Sequence, residues 1–241
     1  MKLLKSLLVL PMILLSTLVQ AGLDVRTYIP AQAHQYFPII QREQEYLMPG
    51  FEYPYYFAGL IEHESCISLQ HSRCWRPTSR LKTSREEGAG VIQLTRTWNK
   101  DGSVRFDVLS ELRRAHMQEL KELSWSNVYQ RPDLQIRAGI ILSRSNYKAL
   151  FDMKDSYQRL AATDSAFNGG VASVKKRRQI CGLKAQCDPQ IWFDHLERIV
   201  VKSTKPLYAG RSPQEINDHH VRDTLTVRMP KYQPYFKKPL S

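Results

Sequence analysis

With 241 residues, 42% of them hydrophobic, the chain is long enough for one domain with a sizeable core, or one domain with extensions. Its net charge of +12 points to an acidic partner, but no recognised nucleic-acid-binding module accompanies it, which places a nucleic-acid binder last among the functional classes. After the first two dozen residues no segment is long and apolar enough to cross a membrane as a helix.

The chain opens on MKLLKSLLVLPMILLSTLVQA, in which Lys2 and Lys5 precede an uncharged leucine-rich run and the small-residue spacing Val19-Gln20-Ala21. This reads as a secretory signal over residues 1–21, with the mature chain starting at Gly22 in the periplasm or outside the cell. An uncleaved anchor is the alternative, weakened by Pro11 and Ser16, and no Cys follows the cut to take a lipid. Outside a bacterial cytoplasm the abundant polyanions are cell-wall polymers and lipid headgroups. Residues 22–50 are aromatic-rich without clean periodicity and read as an amino-terminal arm packed on the domain.

A first helix is expected from about Pro54 to about Ser68, with Phe57, Leu60, Ile61 and Ile67 as its apolar stripe. At about 100° per residue Glu64 falls inside that stripe, whereas Glu62 turns toward solvent. A carboxylate among apolar side chains is costly to ionise, so Glu64 is expected to hold a proton near neutral pH and to serve as a general acid. Its bland alternative is a partner for a buried Arg.

The four cysteines stand in two close pairs, Cys66 with Cys74 and Cys181 with Cys187, which in an exported chain are expected as two disulfides. A zinc set of His63, Cys66, His71 and Cys74 can be drawn, but its spacing fits no common zinc module. No metal and no cofactor is therefore expected.

The polar stretch from Gln70 to Gly90 reads as a long loop, after which VIQLTRTW re-enters the core. Asp107 is expected to cap a helix running through Leu123, and Asp133 to cap another through Phe151. A fourth helix, SYQRLAATDSAF, should break at Asn168-Gly169-Gly170, and a fifth should cover PQIWFDHLERIVVKS. Between them Lys175 to Arg178 reads as a solvated basic face. Ser212 and Glu215 have capping-box spacing for a sixth helix, and residues 227–241 look like an extended basic tail. The fold class is mainly α.

The order of four segments, HESCI at the end of the first helix, then GAGVIQLTRTW, DLQIRAGIIL and LAATDSAFNGG, resembles the lytic transglycosylases of the soluble (SLT) type, which have a goose-lysozyme-like fold. The resemblance implies a single lysozyme-like catalytic domain over residues 51–226. In the family the catalytic glutamate directly precedes a serine, here Glu64-Ser65. Its GAxGLMQL element is similar to Gly88 to Leu94, one residue short between Ala89 and Gly90, and its AYNxG element looks like Ala166-Phe167-Asn168-Gly169-Gly170. A late ETxxYVxxV segment is loosely echoed by Glu215 to Arg222.

What the resemblance implies is cleavage of the β-1,4 bond between N-acetylmuramic acid and N-acetylglucosamine in peptidoglycan. Glu64 would act first as acid and then as base, leaving a 1,6-anhydro end. Ser65, Gln93, Phe167 and Asn168 are the implied substrate-binding residues. Glycan strands are the implied partner, and an envelope-spanning assembly is one candidate setting.

The chain departs from the family at three places. Phe167 stands where the family has Tyr, with Tyr208 and His220 as candidates to supply the missing polar group. The segment between Glu64 and Gln93 is longer, and its Arg73, Trp75 and Arg76 either extend the cleft or belong to a surface staple. Glu86 and Glu87 precede Gly88, and either one facing the cleft could activate water and make the protein a hydrolytic muramidase. A non-catalytic peptidoglycan-binding module is the other alternative.

Overall fold

A computed structural model describes residues 23–206 and 210–236; the expected leader, Tyr208 and the last five residues lie outside them. The described chain is mainly helical, with one four-stranded antiparallel sheet. No helix among the described residues is long and apolar enough to cross a membrane.

The segment expected as an irregular arm instead carries a 3-10 turn, Ala31–Tyr36, and helix α1, Phe37–Leu47. Phe37, Ile40 and Leu47 are buried at helical spacing, but Glu43 and Gln44 are buried between them and blur the apolar period. Each is satisfied by a specific partner. Glu43 pairs with Arg137 at 2.7 Å, and the Gln44 amide donates to Met48 O at 2.6 Å.

Helix α2, Tyr56–Ser65, is shorter than expected and ends where Cys66 turns extended. Ile67, counted in the apolar stripe, is outside the helix and 73% exposed. The first two turns are buried on every side, from Tyr56 through Glu62. The cause lies at the far end of the chain. From Asp223 the backbone runs through a π-helical segment, Asp223–Arg228, into a 3-10 segment, Met229–Tyr235, which packs on α2. Gly59 allows this close approach, because a Cβ there would sit 2.8 Å from the Met229 Cα. As far as Phe236 the expected basic tail is thus part of the core, with Met229, Tyr232 and Phe236 buried.

The expected long loop folds into a hairpin, β1 Arg80–Lys82 and β2 Glu86–Ala89, joined by β3 Leu94–Trp98 and β4 Val104–Asp107. Gly88 pairs with Leu81 on one side and Thr95 on the other. The sheet escaped the sequence reading because β1 is exposed along its whole length and shows no apolar alternation.

Asp107 caps helix α3, Val108–Ala115, accepting from Ser110 N at 2.9 Å as expected, but the run breaks at His116 before the short helix α4, Met117–Leu120. Helix α5, Pro132–Ala149, starts on Pro132. Asp133 lies inside the first turn and pairs with Arg131 at 2.9 Å rather than capping. Helix α6, Ser156–Gly169, is capped by Asp155 and stops at Gly170, whose φ of +81° suits the glycine expected there.

The basic run lies on helix α7, Val171–Gly182, which the sequence reading did not anticipate. It is only partly a solvated face. Arg177 is fully buried, donating to the carbonyls of Leu196 and Glu197 and pairing with Asp218 at 2.7 Å. The expected fifth helix is a series of turns with one 3-10 turn, Leu196–Arg198. Its amides are claimed elsewhere: Gln158 Oε1 accepts from Trp192 N and Phe193 N, and Asp194 has a φ of +63°. Helix α8, Pro213–Arg222, carries the expected Ser212–Glu215 capping box. Both expected disulfides are formed, Cys66–Cys74 and Cys181–Cys187.

Candidate functional site

Glu64 stands in the last turn of α2, where that helix leaves the core and meets the sheet. It lines two adjoining cavities. One, of about 260 Å³, is bounded by Ser65, Ile67, Arg73, Leu81, Glu86 and Gln93. The other, of about 530 Å³, runs toward α3 and the end of α6, past Gln93, Phe106, Phe167 and Asn168. Glu64 therefore sits at the junction of a two-part cleft between the sheet and the helices.

The two glutamates of α2 have exchanged the surroundings expected for them. Glu62, expected to face solvent, is completely buried and meets Arg228 at 3.2 Å, Lys231 at 2.7 Å and the Tyr232 hydroxyl. Glu64, expected among apolar side chains, keeps 15% of its side chain exposed and reaches the cleft. The returning C-terminal segment covers the face of α2 that helical geometry alone assigns to water.

Behind Glu64 lies a chain of buried polar groups. Its Oε1 is 2.7 Å from His220 Nε2 on α8, and His220 Nδ1 is 2.7 Å from Asp164 Oδ2 on α6. The Tyr56 hydroxyl donates to Asp164 Oδ1 at 2.9 Å, so both oxygens of that carboxylate are occupied. Tyr56, Asp164 and His220 are all buried. Burial opposes charge on the His220 ring, but the charge and hydrogen bond of Asp164, followed by those of Glu64, outweigh it and push His220 up to about 10. When charged, the ring can donate through both nitrogens, Nδ1 to Asp164 and Nε2 to Glu64. Phe167 stacks on this ring at 6.4 Å, and His63 meets it edge-on at 4.2 Å.

Of the two residues considered as polar substitutes for a tyrosine at position 167, His220 contacts Glu64, and Tyr208 is outside the described residues. Asp164 and Tyr56 were not singled out in the sequence. The only available sign was an Asp inside the otherwise small and apolar run LAATDSAF.

Ser65 lines the smaller cavity, but its hydroxyl is engaged inward, donating to Ile61 O at 2.7 Å and accepting from Trp75 N at 3.0 Å. It ties the disulfide loop to the end of α2. Gln93 has a left-handed backbone, φ +48°, uncommon away from glycine, and its amide donates to Gly90 O at 2.7 Å. The absence of a Cβ at Gly88 leaves room for Gln93 Oε1. Asn168 is exposed at the end of α6 and accepts from Asn217 at 3.0 Å. Phe167, Asn168 and Gln93 thus share one cavity wall system with Glu64.

Trp75 is fully buried and stacks on Tyr36, so it belongs to the core and not to a sugar-binding surface. Glu87 is buried too. It is held by Arg80 at 2.8 Å, Arg96 at 3.2 Å and the Tyr129 hydroxyl at 2.9 Å, and these bonds draw its carboxyl below the usual range although burial opposes them. Glu86 alone of this pair lines the cavity beside Glu64.

The zinc set drawn from the sequence is closed, since Cys66 and Cys74 are bonded to each other. Among the described residues, His63, His219 and Asp223 bring ligand-type atoms within 4.8 Å of one another. Asp223 Oδ2 is already engaged by His63 Nδ1 at 2.7 Å and by Arg228. Burial opposes the Asp223 charge, but these two partners hold its carboxyl far below the usual range. A cation is thus in place without a metal.

Models of known protein families match no part of the chain, and a search of curated proteins found no match.

Proposed function

We propose that this chain is an exported peptidoglycan lytic transglycosylase with a lysozyme-like domain, using Glu64 as its single acid and base. The observation that carries the reading is Glu64 itself: a partly exposed carboxylate at the junction of a two-part cleft, backed by a buried His220–Asp164 pair. The order of motifs around it and the two disulfides add support.

In the proposed reaction the Glu64 carboxyl gives its proton to the glycosidic oxygen as the bond from that oxygen to C1 breaks. The resulting carboxylate takes the proton of the muramyl 6-hydroxyl as O6 bonds to C1. No water is consumed, and one carboxylate serves both steps, in contrast to the two flanking carboxylates of ordinary glycosidases. The doubly protonated ring of His220 faces the carboxylate during the interval when it carries negative charge. His220 thereby supplies the hydrogen-bonding group missing at Phe167.

A second reading rests on Glu86, which lines the same cavity as Glu64. If it activates water, the products are those of a hydrolytic muramidase.

Mass spectrometry of muropeptides released from peptidoglycan by the purified protein, with Glu64→Gln beside it, tests both readings. Anhydromuramyl products that disappear in Glu64→Gln are expected. Reducing-end products lost in Glu86→Gln would favour hydrolysis, and strand binding without any product would leave a binding module.

A further inference from the structure

The smaller cavity beside Glu64 combines features that the proposed chemistry does not use. Ile67 and Leu81 line it although they are 73% and 48% exposed, and Arg73 lines it from the disulfide loop. The backbone around Arg73 is held on every side. Cys74 is bonded to Cys66, Trp75 N donates to Ser65 Oγ, and Gln32 donates to Cys74 O at 3.3 Å. The Arg73 carbonyl accepts from Arg76 N at 3.1 Å. An exposed arginine on an anchored loop thus lines the cavity that Glu64 also lines, next to two exposed aliphatic side chains.

We infer that Arg73 reads a carboxylate-bearing substituent of the glycan on this side of Glu64, with Ile67 and Leu81 receiving the methyl groups beside it. A guanidinium is the natural receptor for a carboxylate, and sugars carrying acidic, methyl-bearing substituents fit this wall better than neutral N-acetylglucosamine polymers do. The carboxylate is either the lactyl group of a peptide-free muramyl residue or an acidic group of its stem peptide. This inference rests on the proposed reading of Glu64 and its cleft. It assigns the insertion between Glu64 and Gln93 a job in substrate choice, carried by Arg73 and not by the buried Trp75.

The test is binding to the full chain carrying Glu64→Gln, which separates recognition from cleavage. Three probes are titrated by calorimetry: chitohexaose, peptide-free strands of alternating N-acetylglucosamine and N-acetylmuramic acid, and the same strands with stem peptides. Tighter binding of at least one muramyl probe than of chitohexaose is expected. Adding Arg73→Gln should weaken that probe about tenfold or more, the scale of one hydrogen bond to a charged group, and leave chitohexaose unchanged. Arg73→Lys should recover part of the loss. Which muramyl probe responds identifies the lactyl or the peptide carboxylate. An equal loss on all three probes, or no loss on any, overturns the role of Arg73 while leaving the cleft intact. Failure of Glu64→Gln to bind any probe would remove the reading of the cleft, and this inference with it.

Discussion

His220 Nε2 lies 2.7 Å from Glu64 Oε1, joining two side chains 156 positions apart in the chain. Replacing His220 by Ala removes the group that faces the Glu64 carboxylate and leaves Asp164 buried with Tyr56 alone. A roughly 10²-fold or greater loss of cleavage is expected, as for the loss of a positioned donor at a reacting charge. Stability should also fall, by about 3 kcal/mol, because a buried carboxylate loses its counter-charge. His220→Gln keeps a donor and should lose less on both counts. Cleavage rates measured well below the melting temperature of each variant check the catalytic part, and an unchanged rate in His220→Ala would remove His220 from the mechanism.

The same ring makes stability depend on pH in a defined window. His220 is raised from 6.5 to about 10, so its contribution is complete below pH 6.5 and disappears as pH rises through about 10. His63 behaves in the opposite sense. Burial first, and then the His220 charge, lower it despite Asp223, so its contribution is present above pH 6.5 and lost as pH falls. Melting temperatures of the wild type and His220→Gln, taken from pH 6 to pH 10.5, should converge as pH rises. A constant difference would show that the buried ring is uncharged.

Glu62 is expected to govern stability rather than chemistry. Glu62→Ala leaves Arg228 and Lys231 without their shared carboxylate under the C-terminal segment, a loss of about 3–5 kcal/mol. Denaturant unfolding measures it. A loss under 1 kcal/mol would mean that the segment from Met229 to Tyr235 does not depend on this ion pair for its docking on α2.

The two disulfides should separate stability from activity. Their partners are 8 and 6 positions apart, and loops of this length stabilise by about 2–3 kcal/mol each through the unfolded chain. Removing Cys181–Cys187 is expected to lower the unfolding midpoint alone. Removing Cys66–Cys74 should lower the midpoint and also the rate, since this bridge anchors the loop beside Ser65 and Arg73. Equal rates in the two double variants would detach the loop from the cleft.

What the sequence by itself determined is what depends on neighbours in the chain. The caps at Asp107 and Ser212, the break at Gly170, the helix under Glu64 and both cysteine pairings are local, and each follows from turn chemistry or short spacing. The motif order also singled out Glu64, Gln93, Phe167 and Asn168, and these line one continuous cleft. The surroundings of those residues were decided only by tertiary structure. A helix offers a carboxylate a direction but not a neighbour, so the burial of Glu62 depends on where residues 223–236 return, and the opening of Glu64 on where the sheet and the end of α6 stand around it. Trp75 and Arg73, two positions apart, part between core and cavity for the same reason. The Asp164–His220–Glu64 chain draws on three helices, and hydrogen bonds between distant helices leave no period or spacing in a sequence.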